Sequence, residues 1–118
     1  MGVPSFNGGD PLVVVVRNIT TTEFEFQLDE WDYRNQVHVA ETVSWMALPS
    51  GNYTLDGQHI SAGSFESAGE GSTAQIFDPA FAMILAVFTQ RSSRNTDATK
   101  SVRISEISAN SFKVRLDE

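Results

Sequence analysis

The residues best suited to chemistry crowd into one stretch, "DEWDYRNQVHVAE" at positions 29–41. It holds two aromatic rings, Trp31 and Tyr33, the charged Asp32 and Arg34, and His38. That mixture fits recognition of a sugar. A flat ring covers the apolar C–H face of a pyranose, and carboxylates, amides and a guanidinium bond its hydroxyls. Each residue also has a structural part open to it: Trp31 as a cap on the core, Tyr33 as a loop anchor, the charges as the solvated skin of a turn. As a cluster, Trp31, Asp32, Tyr33, Arg34 and His38 read as a ligand-binding loop.

Acid–base catalysis is the other chemistry these types suggest, through Glu30, His38 and Glu41. A glycosidase sets two carboxylates across a defined cleft. Short strands leave little room for one, and no loop is long enough for a lid. His38 lies within the alternation of Val37 and Val39, as a packed or rim histidine would. No catalytic residue is assigned, and the chain is read as a non-enzyme. Asp29, Glu30, Asp32 and Glu41 are calcium-type ligands, but their spacing does not follow D-x-D-x-D-G. No metal or cofactor is expected.

The elements that must position this loop are strands. "LVVVVRNI" (12–19) is β-branched and runs into a Thr-rich turn. "EFEFQLDEW" (23–31) alternates, with Phe24, Phe26 and Leu28 on one face and Glu25, Gln27 and Asp29 on the other. "VHVAETVSWMAL" (37–48) alternates in its second half, which points Trp45 into the core. "YTLDGQHISAG" (53–63) reads as two short strands about an Asp56-Gly57 turn. "AQIF" and "AFAMILAVFTQ" follow, the latter expected as a fully buried strand, and "RSSRNTDATK" (91–100) is a polar loop. The pattern predicts an all-β fold, an antiparallel β-sandwich of about six to eight strands in one domain, 1–118.

The chain also echoes itself. Shifted by 88 positions without a gap, Ser5 meets Ser93, Asn7 meets Asn95, Val14 meets Val102 and Ile19 meets Ile107. Phe24 then meets Phe112, and Leu28-Asp29-Glu30 meets Leu116-Asp117-Glu118. Alternation alone repeats apolar residues, but it does not repeat an aligned Asn and Leu-Asp-Glu. This is the signature of a tandem repeat. The hairpin 12–31 is expected again as 101–118, with Val14, Val16, Phe24, Phe26 and Leu28 on the core side. Val102, Ile104, Phe112, Val114 and Leu116 are their counterparts. The chain reads as a permuted cut from a longer array, and the cut leaves strand edges that a neighbouring copy would cover. A homo-oligomer is therefore expected.

Composition narrows the partners. The 118 residues are 41% apolar, enough for a core, and carry a net charge of −7. An acidic surface repels phosphate backbones and anionic lipid, so no nucleic acid and no membrane are expected as partners. There is no Cys, which excludes disulfides and thiolate metal sites. No basic segment followed by an apolar one opens the chain, so any leader is expected upstream.

With its β-branched strand, "N-x-T-x-x-x-F" hairpin, Trp-led loop and "S-W-x-A" ending, the chain resembles the H-type lectin domain. The residues concerned are Asn18, Thr20, Phe24, Trp31 and Ser44-Trp45-Met46-Ala47. "FDPAFAMILAVFTQ" is similar to an earlier strand of that family, so the likeness covers most of the chain in permuted order. The pattern Leu28, Glu30, His38, Glu41, Thr42 also resembles tandem modules of secreted bacterial polysaccharide-degrading enzymes such as agarases. The resemblance implies a six-stranded antiparallel sandwich, commonly trimeric, with N-acetylgalactosamine-type sugars bound in a cleft between protomers. It places Trp31 at the sugar-stacking position, Asp32 where the family often has His, and His38 or Val39 near a sugar-facing Tyr. The resulting expectation is a secreted, non-catalytic carbohydrate-binding module of a larger extracellular protein. Its ligand would be a galactose-type or algal polysaccharide and its assembly a trimer. The alternative is a structural or oligomerisation repeat that binds no sugar.

Overall fold

The computed structural model describes residues 2, 5, 7–34, 37–67, 71–83 and 86–118. The protein is all-β: the described residues form seven strands and no helix. The strands group into three small antiparallel sheets. The chain divides into two compact units, 1–46 with 89–102 and 118, and 47–88 with 103–117.

In the first unit β1 (Leu12–Arg17) pairs with β2 (Glu25–Glu30), from Leu12 opposite Glu30 to Arg17 opposite Glu25. Four consecutive valines favour the pleated strand, because branching at Cβ restricts χ1 in a way that suits it. The connection is closed by Thr20. Its N–H donates to Glu23 O at 2.8 Å, and its Oγ1 accepts from Thr22 N at 3.3 Å and Glu23 N at 3.1 Å. The far edge of β1 is met by 90–91, where Val16 N donates to Arg91 O at 3.0 Å and Gln90 Nε2 to Val14 O at 2.5 Å.

The core of this unit departs from strict alternation. Val15 and Val16 are buried, yet on β2 the buried residues are Asp29 and Glu30, and Phe26 is 46% exposed. The cause is what covers the end of β2. Arg94 Nε lies 3.3 Å from Asp29 Oδ2, and Thr99 Oγ1 donates to Glu30 O at 2.8 Å. A polar loop therefore seals this end, and polar residues turn toward it.

The second unit holds the hairpin β3 (Gly51–Leu55) and β4 (Gln58–Ala62). Its two-residue turn places Asp56 at φ 48° and Gly57 at φ 76°, the two left-handed positions of a type I′ turn. β5 (Thr73–Ile76), β7 (Ser111–Asp117) and β6 (Ser101–Ser105) form the third sheet, with β7 central. β6 carries the chain across the boundary between the units. Phe112 and Val114 on β7 are buried. Phe112 stacks on Phe77 at 5.4 Å and meets Phe65 edge-on at 5.9 Å; Phe77 in turn meets Phe81 at 5.0 Å. This aromatic chain is the hydrophobic centre of the unit.

Two expected strands do not form among the described residues. Over 37–48 there is one isolated bridge, Gly2 to Ser44, and Trp45 is 63% exposed, edge-on to Phe24 at 5.5 Å, instead of buried. Over 80–90 there is no strand, and Met83 and Phe88 face solvent; Ile84 and Leu85 lie outside the described residues. β propensity yields a strand only where a neighbour supplies a hydrogen-bonding edge. Here the backbone makes single contacts, such as Phe81 N to Ala109 O at 2.8 Å, in place of a ladder.

Candidate functional site

The loop after β2 begins with a turn in which Arg34 N donates to Trp31 O at 2.8 Å. Trp31 is half-buried. Asp32 is exposed as a residue, but its carboxylate is tied to Thr99: it accepts from Thr99 N at 3.2 Å and lies 3.1 Å from Thr99 Oγ1. Tyr33 stands outward, 73% exposed. The Arg34 guanidinium lies 5.1 Å from the Tyr33 ring centroid and its Nη1 is 2.9 Å from Asp10 Oδ1. The ring is thus flanked by a cation that a carboxylate holds in place.

His38 sits apart from this platform in a second cluster. Nδ1 is 2.9 Å from Val39 O and Nε2 is 3.2 Å from Asp10 O. A neutral imidazole can donate to only one of these two carbonyls, so the pair of contacts favours the protonated ring. The bond to Val39 O, reinforced by the one to Asp10 O and by the Glu30 and Glu41 carboxylates, raises the His38 pKa against the opposing effect of burial.

Glu41 organises the same cluster. It accepts from Ser5 Oγ, from Asn7 N at 2.8 Å and from Gly8 N at 3.0 Å, and it lies 3.9 Å from His38 Nδ1. The Ser5 bond is the leading cause that lowers its pKa, followed among the lowering causes by the Asn7 and Gly8 amides. Ser5 Oγ also accepts from Thr42 N at 2.7 Å, and Asn7 Nδ2 donates to Ala40 O at 3.0 Å. A Cβ on residue 8 would lie 2.6 Å from His38 Cε1, so a larger residue than glycine there requires the ring to shift.

Ser, His and Glu are triad residue types, but this geometry is not that of a nucleophile. A triad sets the imidazole Nε2 on the serine hydroxyl. Here Ser5 Oγ faces Glu41, and Nε2 faces a main-chain carbonyl. The cluster is a clamp that fastens 5–10 to 38–42.

The five residues read from the sequence are thus divided. Tyr33 and Arg34 are brought together, and Arg34 and His38 meet only through Asp10. Asp32 serves Thr99. Asn35 and Gln36 lie outside the described residues. Ser5, Asp10 and Thr99 carry the geometry without any local signal, being 24 to 69 positions from their partners. Among the described residues, no cluster of His, Asp and Glu is placed to hold a metal ion, and no helix is long and apolar enough to cross a membrane. No family model matches the chain, and neither a curated protein nor a solved structure is significantly similar to it.

Proposed function

We propose that the chain is a non-catalytic carbohydrate-binding module whose contact surface is the loop 31–38, with Tyr33 as the stacking ring. One observation carries this reading: Tyr33 is 73% exposed beside a guanidinium that is itself anchored to Asp10. A rigid ring gives a large apolar contact for little lost torsional freedom, and Arg34 adds donors for hydroxyls at its rim. Trp31, half-buried, supports the loop in this reading. Asp32 and His38 set its shape.

A galactose-type or algal polysaccharide is the ligand class, following the resemblance to H-type lectin domains. The site is shallow, so single-site affinity is weak, about millimolar, and a homo-oligomer, with a trimer favoured, raises it by avidity. Such a module belongs to a secreted or extracellular protein, and a β-sandwich is its expected complete form. A glycan array carrying galactose-type and algal polysaccharides tests the reading. Tyr33→Ala is expected to abolish binding with the melting temperature unchanged. Binding that survives Tyr33→Ala overturns it.

The second reading is a structural repeat that spaces or assembles other domains. The turns of the two repeated hairpins favour it, since Thr20 N donates to Glu23 O at 2.8 Å as Ser108 N donates to Ser111 O at 2.9 Å. The same array decides between the two: a structural repeat retains no glycan.

A further inference from the structure

The two hairpins related by the 88-residue shift share more than sequence. Thr20 N to Glu23 O is 2.8 Å, and Ser108 N to Ser111 O is 2.9 Å. Thr20 Oγ1 accepts from Thr22 N at 3.3 Å and Glu23 N at 3.1 Å; Ser108 Oγ accepts from Asn110 N at 3.2 Å and Ser111 N at 3.1 Å. Every residue in the second set is its counterpart in the first plus 88. The side-chain pair across each turn is also conserved in place. Asn18 Nδ2 donates to Glu25 at 2.8 Å, and Glu106 lies 2.8 Å from Lys113 Nζ.

In one respect the hairpins differ. β7 has a neighbour on each side, β6 and β5, whereas β2 has only β1 in its sheet. β5 lies on β7 with Thr73 opposite Val114 and Ile76 opposite Ser111. Shifted back by 88, those positions are Phe26 and Glu23. The exposures follow the difference: Val114 is 3% exposed and its counterpart Phe26 is 46% exposed. Phe112 is buried among Phe65 and Phe77, while its counterpart Phe24 is half-buried against Trp45.

We propose that the outer edge of the segment Glu23–Phe26, which leads into β2 and forms its first two residues, is a strand-acceptor site whose occupant is a second copy of the repeat segment 47–88. The Thr73–Ile76 strand of that copy lies antiparallel to β2, with Thr73 opposite Phe26 and Ile76 opposite Glu23. The site continues an interface already present once in this chain, that of β5 with β7. The chain's own β5 is engaged there, so the occupant comes from another copy. Thr-Ala-Gln-Ile carries no charge, so Glu23 and Glu25 meet no like charge in the strand. Phe65 and Phe77 of the incoming copy would close over Phe24 as they close over Phe112. An open edge of this kind is a template for added strands, and a repeat that fills it removes the hazard.

The test uses the full chain with a second copy of 47–88 joined directly to Met1, which restores the spacing of 88 to 89. Hydrogen exchange of the amides at 23–26 is expected to slow at least tenfold relative to the unextended chain. Gln75→Pro in the added copy is expected to abolish that protection, because Pro cannot sustain a ladder. The chain has no cysteine. A Phe26→Cys change combined with Thr73→Cys in the added copy should therefore form a disulfide on mild oxidation, while Ile76→Cys should not. Unchanged exchange, protection that survives the Pro substitution, or preferential cross-linking to position 76 each overturns the proposal. None of these readouts depends on sugar binding.

Discussion

Asn18 and Glu106, 88 positions apart, both take the left-handed backbone, at φ 50° and 51°. Left-handed residues other than Gly are uncommon, and Asn enters that region more easily than Glu. Two hairpins with different side chains at this point still make the same bend. What they share is the Thr or Ser two residues on, whose hydroxyl accepts from the two amides that would otherwise be left open.

Glu106→Asn should therefore stabilise the second hairpin by about 0.5–1 kcal/mol, since the relief at φ exceeds the loss of one solvent-exposed ion pair. Urea denaturation monitored by circular dichroism measures it. A lower midpoint for Glu106→Asn would show that the pair with Lys113 outweighs the backbone cost.

The counterpart phenylalanines should respond differently to truncation. Phe112 is buried in an aromatic cluster, so Phe112→Ala is expected to destabilise by about 3–5 kcal/mol. Phe26 is nearly half exposed, and Phe26→Ala should cost under about 1.5 kcal/mol, in proportion to the area it buries. Comparable losses at both sites would mean that Phe26 is covered in solution.

Thr99→Val keeps the shape of a buried side chain and removes the hydroxyl that donates to Glu30 O and lies beside Asp32. It should destabilise by about 1–3 kcal/mol, because the buried Glu30 carbonyl loses its partner. Thermal melts of Thr99→Val and Asp32→Ala, with the double variant, complete the cycle. Additive losses would show that the two groups act independently.

The His38–Glu41 clamp should have a pH window with two edges. Glu41 has its pKa lowered from the ordinary 4.5, so its contribution is present above 4.5 and is lost as pH falls through the lowered value. His38 has its pKa raised from 6.5, so its contribution is present below 6.5 and is lost as pH rises through the raised value. Both act fully between these limits. In stability profiles against pH, Glu41→Gln should flatten the acid limb and His38→Gln the alkaline limb. An alkaline limb unaltered in His38→Gln would place its titration elsewhere.

Gly8→Ala probes the same clamp sterically. The added methyl meets a ring held by two carbonyls, and overpacking should cost about 1–3 kcal/mol. Equal stability of Gly8→Ala and the parent would mean that the imidazole swings aside without loss.

What the sequence by itself determined was local. The valine run of β1, the Asp-Gly turn between β3 and β4 and the repeated Leu-Asp-Glu are written in neighbouring residues, because strand pleat and turn geometry are set over two to four positions. The all-β class and the places of both repeated hairpins follow from them. The aromatic and charged loop after β2 was also legible as a group of residue types. Which of its members face outward was decided only by the tertiary structure. Asp32 is engaged because Thr99 reaches it, Arg34 because Asp10 does, and His38 because Gly8 leaves room for its ring. The same holds for β2, where a period of two placed Phe26 inside. Arg94 and Thr99 instead brought Asp29 and Glu30 under cover. The Asp29 carboxylate is covered beside Arg94 and the Glu30 main-chain carbonyl beside Thr99, and both partners lie on a distant part of the chain, so no local pattern of residues specifies this burial.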